Sequence, residues 1–309
     1  MEENKINPMT CDTETGLCEI PVSENTTQST DISATADKIR LLYFTDPICS
    51  SCWGIEPQLR KLKLEYGDYF EIDYRTGGLL KSWDSYGGSD VGNPADVAVH
   101  WDEASDYYEM PIDGDLWLED PLDSSYPPSI AFKAAQMQGT DKADDFLRKI
   151  KEMVFLEKKN ISRWEHLREA AIVSGLDITQ FKTDFDGAAN TAFEDDLDLG
   201  RQLGVRGFPT IFFTDKDDNR FKVYGSKPYE VYEQALLKLI PEAVKKSVDT
   251  SISSLFGYYP TLTTKEAAVL SAQSLTEAEA SLTELHKQNK ISRYDSKKGS
   301  LWSKIEEHE

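Results

Sequence analysis

Residues 46–53 read DPICSSCW and directly follow the apolar run IRLLYF at residues 39–44. The apolar run predicts a buried strand, which Asp46 and Pro47 end. From Ser50 the apolar pattern is helical as far as Tyr66. A Cys-x-x-Cys pair at such a strand-to-helix junction has three interpretations: a structural disulfide, half of a metal site, or a redox pair.

The composition bears on this choice. The chain has 309 residues, of which 39% are hydrophobic, enough for one large domain and a smaller unit. A formal net charge of −21 disfavours nucleic acid and anionic membranes as partners, because phosphate binding needs a clustered basic face. The polar start has no signal-peptide pattern, and no window approaches the roughly 18 apolar residues of a membrane helix. We therefore expect a cytoplasmic protein, where structural disulfides are rare.

The patterns that follow the cysteines predict an α/β fold. Alternating or apolar runs at residues 69–76, 210–215 and 220–225 read as strands, and a helical pattern runs from Pro128 to Leu203. A last helix is expected from Pro228 to about Lys246. This order predicts a thioredoxin-like core with a helical domain inserted at about residues 81–190.

The two ends of the chain differ from this core, which we place at residues 39–248. Residues 1–38 are rich in Ser, Thr, Glu and Asp, and a disordered tail is predicted. Residues 249–309 contain two short helical patterns opened by Ser or Thr and two short strands, which suggests a winged-helix-like module. From Thr250 onward it has seven basic and eight acidic residues, so it favours contact with protein over DNA.

An acidic segment stands out between Ser82 and Ser125. It contains twelve Asp and Glu residues and no Lys or Arg. It also contains aromatic residues, among them Trp101 and Tyr108, which a solvated loop would not need. We expect an ordered insertion with an acidic face; the alternatives are a plain solvated loop and a surface that prefers basic proteins.

The placement of the cysteines favours redox chemistry. A helix that begins at Ser50 directs free N–H groups and partial positive charge at Cys49, which lowers a cysteine pKa from about 8.5 to about 3.5–7.5. Cys52 lies one turn further on the same face, where it can resolve a mixed disulfide. Pro57 is expected to bend this helix. In GVRGFPTIFF, a cis peptide at Pro209 would offer the backbone of Phe208 to a bound polypeptide.

These motifs resemble a known family. CSSCWGIEP, a helical block and then GVRGFPTIFF are similar to the DsbA-like branch of the thioredoxin superfamily. The run DPICSSCWGIEPQLRKLKLEYGDYF resembles two cytoplasmic groups: FrnE-type dithiol-disulfide isomerases, and SpxH (YjbH) adaptors, which deliver a transcription factor to the ClpXP protease. The resemblance covers about residues 39–246 and implies that Cys49 and Cys52 are the redox pair and Pro209 the cis-proline. Phe208 departs from the Val or Thr common at its position.

The remaining cysteines, Cys11 and Cys18, have three interpretations: incidental thiols, an auxiliary redox pair that exchanges with Cys49, or metal ligands. No histidine lies near them in the sequence to complete a zinc site, so no metal is predicted.

Two functions follow from these observations. The leading prediction is a thiol-disulfide oxidoreductase or isomerase that acts on protein disulfides without a bound cofactor. Cys49 would attack the substrate and Cys52 would release it. The alternative is a ClpXP adaptor that binds a client and the protease without obligatory redox turnover.

Overall fold

The computed structural model describes residues 10–11, 17–20, 38–85 and 92–305. The strands are β1 Thr10–Cys11, β2 Leu17–Ile20, β3 Ile39–Thr45, β4 Phe70–Thr76, β5 Thr210–Thr214, β6 Arg220–Tyr224, β7 Thr261–Thr263, β8 Ile291–Ser296 and β9 Gly299–Lys304. The helices are α1 Ser50–Gly54, α2 Glu56–Tyr66, α3 Pro94–Tyr108, α4 Leu116–Glu119, α5 Tyr126–Gln136, α6 Thr140–Phe155, α7 Trp164–Val173, α8 Ile178–Asp186, α9 Ala188–Gln202, α10 Tyr229–Leu239, α11 Ile252–Leu255, α12 Thr264–Ser271 and α13 Leu275–Lys287. None of these helices has both the length and the apolar character needed to cross a bilayer.

The larger sheet has six strands in the order β1-β2-β6-β5-β3-β4. Strand β3 lies parallel to β4 and antiparallel to β5. It is apolar because both of its faces are covered. Leu41 and Tyr43 pack into the core that includes the buried residues of α2 and α10, whereas Leu42 and Phe44 pack with Phe212 on the other face. The predicted succession of strands and helices is therefore present, and β3 lies between β5 and β4 in the sheet.

The predicted helix at residues 50–66 is in fact two helices. Helix α1 ends at Gly54, and α2 begins at Glu56 with Pro57 in its first turn. A proline lacks the N–H that a helix interior needs, but the first turn leaves that N–H unbonded in any case. Pro57 therefore starts a new helix where a bend had been expected.

Helices α3 to α9 lie between β4 and β5 and surround a large apolar core. Trp101 and Trp117 of the acidic segment are both buried there, with ring centroids 5.2 Å apart. The described part of this segment is thus ordered, as predicted. Helix α8 lies within the stretch from Pro128 to Leu203 for which a helical pattern was predicted; its Phe181 is buried, and Ile178 and Phe185 pack against the same core.

The prediction of disorder for residues 1–38 is wrong for six of them. β1 and β2 form a hairpin in the larger sheet, and β2 pairs with β6 along all four of its residues. Without β2, β6 would be an edge strand with unpaired backbone N–H and C=O groups, and β2 satisfies these groups. Backbone pairing therefore orders a stretch whose composition alone indicates a flexible tail.

The C-terminal module consists of α11 to α13 and a three-stranded antiparallel sheet in the order β7-β9-β8. Leu262, Leu282 and Trp302 lie at its core. Thr263 and Ser274 cap α12 and α13, each in a capping box, so both predicted helices and their caps are confirmed. Strand β7 was not predicted because three residues show no alternation. The winged-helix-like nature of the module stays a prediction.

Candidate functional site

The two cysteines of the CSSC motif lie within one helical turn. Cys49 is the N-cap of α1, and its Sγ accepts a hydrogen bond from the backbone N–H of Cys52 at 3.1 Å. Both are free thiols and both are buried: Cys49 is 5% exposed and Cys52 is 0% exposed. The structure therefore brings together the predicted pair, with Cys49 nearer the surface.

The acidity of the two thiols differs from the prediction. Burial raises the pKa of Cys49 well above its ordinary value, and the neighbouring Cys52 adds to the rise. Burial also opposes ionisation of Cys52, but a hydrogen bond with Cys49 and the positive charge of Lys151 bring its pKa below the ordinary value. The predicted lowering of the Cys49 pKa is therefore wrong, because burial of the thiol outweighs the hydrogen bond that it accepts from the Cys52 N–H.

A buried carboxyl group positions the loop that carries Cys49. Asp46 Oδ2 accepts hydrogen bonds from the backbone N–H of Leu79 at 2.7 Å and from Ser125 Oγ at 2.9 Å, and Oδ1 accepts one from the N–H of Ile48 at 3.1 Å. Burial raises the pKa of Asp46 from 3.8 to about 6, although these hydrogen bonds act in the opposite direction. The sequence predicted only that Asp46 ends a strand. Its role in holding the loop depends on contacts with Leu79 and Ser125, which are distant in the sequence.

Tyr108, at the end of α3, covers the motif. A methyl group on Gly54 would come within 2.4 Å of the Tyr108 ring, so the ring lies directly against this glycine. The Tyr108 hydroxyl donates a hydrogen bond to Ser51 Oγ at 3.0 Å. Burial raises the pKa of Tyr108, and the nearby Cys49 adds to the rise. The adjacent Tyr107 points outward and is 78% exposed. The sequence had indicated Tyr108 only as an anchor of the acidic segment.

The predicted loop at Pro209 lies at the same end of the sheet as Cys49. Thr210 of β5 is opposite Phe44 of β3, so Pro209 is level with the end of the strand that leads to the cysteines. The Phe208–Pro209 peptide bond is cis, as predicted. The Phe208 ring, however, packs over Gly77 and against the cluster that contains Phe44. The contact of the Phe208 backbone with a substrate stays a prediction.

The auxiliary cysteines lie elsewhere in the larger sheet. Cys18 of β2 is opposite Lys222 of β6 and opposite Cys11 of β1. Cys18 is disulfide-bonded, whereas the side chain of Cys11 is outside the described residues. Within the described ranges, no group of three or more His, Cys, Asp or Glu side chains is arranged to hold a metal ion.

The residue after the motif connects it to the C-terminal module. The Trp53 indole donates a hydrogen bond to the Pro111 carbonyl at 3.0 Å, and the Arg148 guanidinium lies 4.5 Å from the centre of its ring. Arg148 in turn binds both carboxylate oxygens of Glu266, at 2.8 and 3.0 Å. Glu266 belongs to α12 and is fully buried, so a continuous set of contacts links α1 to the module.

A second contact joins the module to the acidic segment. Lys297, in the turn between β8 and β9, donates to Asp102 and Asp115, each at 2.7 Å. Lys298 binds Asp106 at 2.8 Å, and Lys265 of α12 binds Glu109 at 2.5 Å. In each of these contacts a lysine of the module binds a carboxylate of the acidic segment. The acidic face of the predicted ordered insertion is thus in part an intramolecular contact with the module.

Comparison with known proteins agrees with this architecture. A family model described as Thioredoxin matches residues 42–234. A ClpXP adapter protein SpxH from Halalkalibacterium halodurans is 34% identical over 310 aligned residues, which cover 98% of this chain and 99% of that protein. One from Bacillus subtilis is 30% identical and covers 86% and 89% of the two chains. The solved structure of the cytosolic disulfide reductase DsbM from Pseudomonas aeruginosa superposes with a TM-score of 0.53 and 22% identity, covering 65% of this chain and 99% of that one.

The predicted thioredoxin-like, DsbA-like fold is confirmed by the family match and by the superposition. The helices inserted between β4 and β5 fit that fold. The similarity to the SpxH proteins extends beyond residue 234 into the C-terminal module. The chain belongs to the thioredoxin family and, over nearly its whole length, to the SpxH proteins within it.

Proposed function

We propose that the protein is an adaptor that binds a client protein and presents it to the ClpXP protease. The observation that carries the proposal is the extent of the similarity to the SpxH adapter proteins, which covers 98% of the chain. The Thioredoxin match ends at residue 234. Thiol chemistry needs only the thioredoxin part, so similarity that includes the module favours a function that uses both parts.

The geometry of the thiols is consistent with binding that does not require turnover. Cys49 is 5% exposed, and Tyr108 lies against Gly54 and Ser51 of the same motif. Burial also raises its pKa, so at neutral pH it is a protonated thiol, which is a poor nucleophile compared with a thiolate. The pair would therefore react slowly with a disulfide in a folded substrate protein.

The contacts between the two parts suit a protein that holds two partners. The buried Glu266 contacts and the lysine contacts of the hairpin give the module a fixed position on the thioredoxin part. We assign the client to the thioredoxin part and a second protein, the protease, to the module. Delivery to ClpXP implies a cytoplasmic location, in agreement with the expectation from the sequence.

Reconstituted degradation tests the proposal. Proteins captured on the immobilised chain are purified and incubated with ClpX and ClpP from the same organism, with and without the chain. We expect at least one of them to be degraded about tenfold faster with the chain present, because tethering raises the effective concentration of client at the protease.

The matched variant is the double substitution Cys49→Ser and Cys52→Ser, which should deliver the client at the wild-type rate. If no captured protein is degraded faster, the adaptor proposal is wrong. If delivery is lost in the double-serine variant while the fold persists, the thiols take part and binding alone does not account for the function.

A second candidate, a dithiol-disulfide oxidoreductase, is favoured by the position of Cys49 at the N-terminus of α1 beside the Phe208–Pro209 loop. In this reaction Cys49 attacks a substrate disulfide, a mixed disulfide forms, and the other substrate sulfur leaves as a thiol. Cys52 then displaces the substrate, which is reduced by two electrons while the pair becomes a disulfide. A low-molecular-weight thiol would regenerate the pair.

Trapping distinguishes this candidate from the adaptor. In a Cys52→Ser variant the mixed disulfide cannot resolve, so substrates stay bound through Cys49 until a reductant is added. Several proteins released by reductant, and absent with Cys49→Ser, would establish turnover. No protein bound through Cys49 would exclude this candidate.

A further inference from the structure

Tyr108 occupies the position from which a side chain can control access to the thiols. Its ring leaves no room for even a methyl group on Gly54, and its hydroxyl is bonded to Ser51, which lies between the two cysteines. Cys49 is nearly inaccessible although its N-cap position is at the start of a helix. The Tyr108 side chain also forms a hydrogen bond with Ser226. Because Tyr108 is the last residue of α3, its place depends as well on how the end of that helix is held.

The C-terminal module holds the end of α3. Asp106, two residues before Tyr108, is bound by Lys298, and Glu109, one residue after it, is bound by Lys265. Glu109 has a φ of 54°, so the backbone turns away immediately after the tyrosine. The carboxylate side chains of Asp106 and Glu109 are 72% and 50% exposed. Ion pairs this exposed are weak and are screened by salt.

We propose that Tyr108 is a lid over the Cys49–Cys52 pair and that the C-terminal module holds this lid closed through Lys265 and Lys298. A protein that binds these lysines, or the carboxylates they contact, releases the end of α3 and exposes Cys49. Occupation of the module is thereby coupled to the reactivity of thiols in a different part of the chain. This inference does not rest on client delivery, because it concerns the access of any disulfide to the pair.

The reaction that reports on the lid uses dithiodipyridine, an aromatic disulfide. Cys49 sulfur attacks one sulfur of the reagent, the S–S bond of the reagent breaks, and one thiopyridone leaves. Cys52 sulfur then attacks Cys49 sulfur and releases the second thiopyridone, so the reagent is reduced, the pair becomes a disulfide, and the two thiol protons pass to the products. The reagent is uncharged, so the net charge of −21 and changes to lysines do not alter its encounter rate.

The first variants test the lid itself. With Tyr108→Ala we expect thiopyridone release to be about tenfold faster than in the wild type, because the rate follows the fraction of molecules with an open site. Tyr107→Ala, which removes the adjacent and outward-facing ring, is the matched control and should react at the wild-type rate. Tyr108→Phe keeps the ring and loses the Ser51 bond, and we expect an increase of about threefold.

The second variants test the role of the module. Lys265→Ala combined with Lys298→Ala should increase the rate, whereas Lys287→Ala combined with Lys290→Ala removes the same charge from exposed positions of the same module and should not. Raising the salt concentration should accelerate the wild type and leave Tyr108→Ala unchanged. Circular dichroism establishes that each variant is folded; if Tyr108→Ala is not, Tyr108→Phe and the salt series decide.

Two results would overturn the inference. Wild-type rates in both Tyr108 variants would show that the tyrosine is not a lid. If a Tyr108 variant reacts faster than the wild type but the Lys265/Lys298 and Lys287/Lys290 double variants react at equal rates, the module does not hold the lid closed. Neither result bears on degradation by ClpXP, so the adaptor proposal is tested separately.

Discussion

At the scale of single residues, the environment of the thiols matters more than their spacing. Cys49, Cys52 and Pro209 could be predicted because their motifs are local in the sequence. Asp46, Tyr108 and the charge of Lys151 could not be assigned to the site, because their partners are brought together only by the folded chain. The pKa of Cys49 was mispredicted for the same reason: the helix start is visible in the sequence, whereas the burial is not.

The buried carboxyl group of Asp46 gives a prediction about pH. Its pKa is about 6 in the folded state against 3.8 ordinarily, so between these values the folded state binds the proton and the unfolded state does not. The contribution of Asp46 to the free energy of unfolding is therefore fully present below pH 3.8 and is lost as the pH rises through about 6. The loss is about 3 kcal/mol, since one pKa unit corresponds to about 1.4 kcal/mol.

Urea unfolding of the wild type and of Asp46→Asn at a series of pH values between 4 and 7 measures this loss. The difference in free energy of unfolding between the two proteins should change by this amount, with the wild type losing more stability as the pH rises. A constant difference across the series would mean that Asp46 does not titrate in this range.

At the scale of elements, the strands and helices with a clear apolar period could be predicted and the weakly patterned ones could not. Strand β3 is apolar on both faces and α12 and α13 have capping residues, so all three are evident. Strand β2, by contrast, is ordered by its pairing with β6. The packing of α12 against α2 was also not evident, because it depends on an ion-pair cluster formed by residues far apart in the sequence.

The cluster of Glu266, Arg148 and Arg60 should make a large contribution to stability. Glu266 is fully buried, accepts a hydrogen bond from the backbone N–H of the N-cap residue Thr263, and binds Arg148 and Arg60 at 2.8 and 3.3 Å. Glu266→Gln removes the negative charge that neutralises the two arginines. Removal of one partner of a buried ion pair typically lowers the free energy of unfolding by about 3–5 kcal/mol. Glu277→Gln is the matched control, because Glu277 forms the same capping box on α13 at an exposed position.

Denaturant unfolding should show a large loss for Glu266→Gln and a much smaller one for Glu277→Gln. Equal losses in the two variants would mean that the capping box, rather than the charge, accounts for the contribution of Glu266.

At the scale of the whole molecule, the acidic segment and the turn between β8 and β9 are paired by charge: lysines of the turn bind carboxylates of the segment. The segment lacks Lys and Arg, and cations from other parts of the chain pair with its carboxylates: Lys297, which binds Asp102, is 195 residues away from it in the sequence, and Lys158 binds Glu119. Composition revealed the charge run but not its partner. Two different kinds of contact join the module to the rest of the chain, a buried cluster at Glu266 and exposed ion pairs at the hairpin, and they should respond differently to salt.

Limited trypsin digestion tests that difference. Hydrogen bonds with Asp102 and Asp115 raise the pKa of Lys297 and hold the turn between β8 and β9 against α3. At about 1 M salt the screening length falls to about 3 Å, so these exposed pairs weaken while the buried cluster persists. Cleavage after Lys297 and Lys298 should accelerate severalfold relative to cleavage after Lys287, as followed by mass spectrometry.

The double substitution Asp102→Asn and Asp115→Asn should give the fast pattern already at low salt, because it removes both carboxylates that bind Lys297. Equal acceleration at Lys287 would indicate that salt loosens the whole module, and the buried cluster would then not be the stronger of the two contacts. Selective acceleration in the hairpin would instead mean that the module stays in place while the segment that carries Tyr108 is released, which is the motion that opening of the thiol site requires.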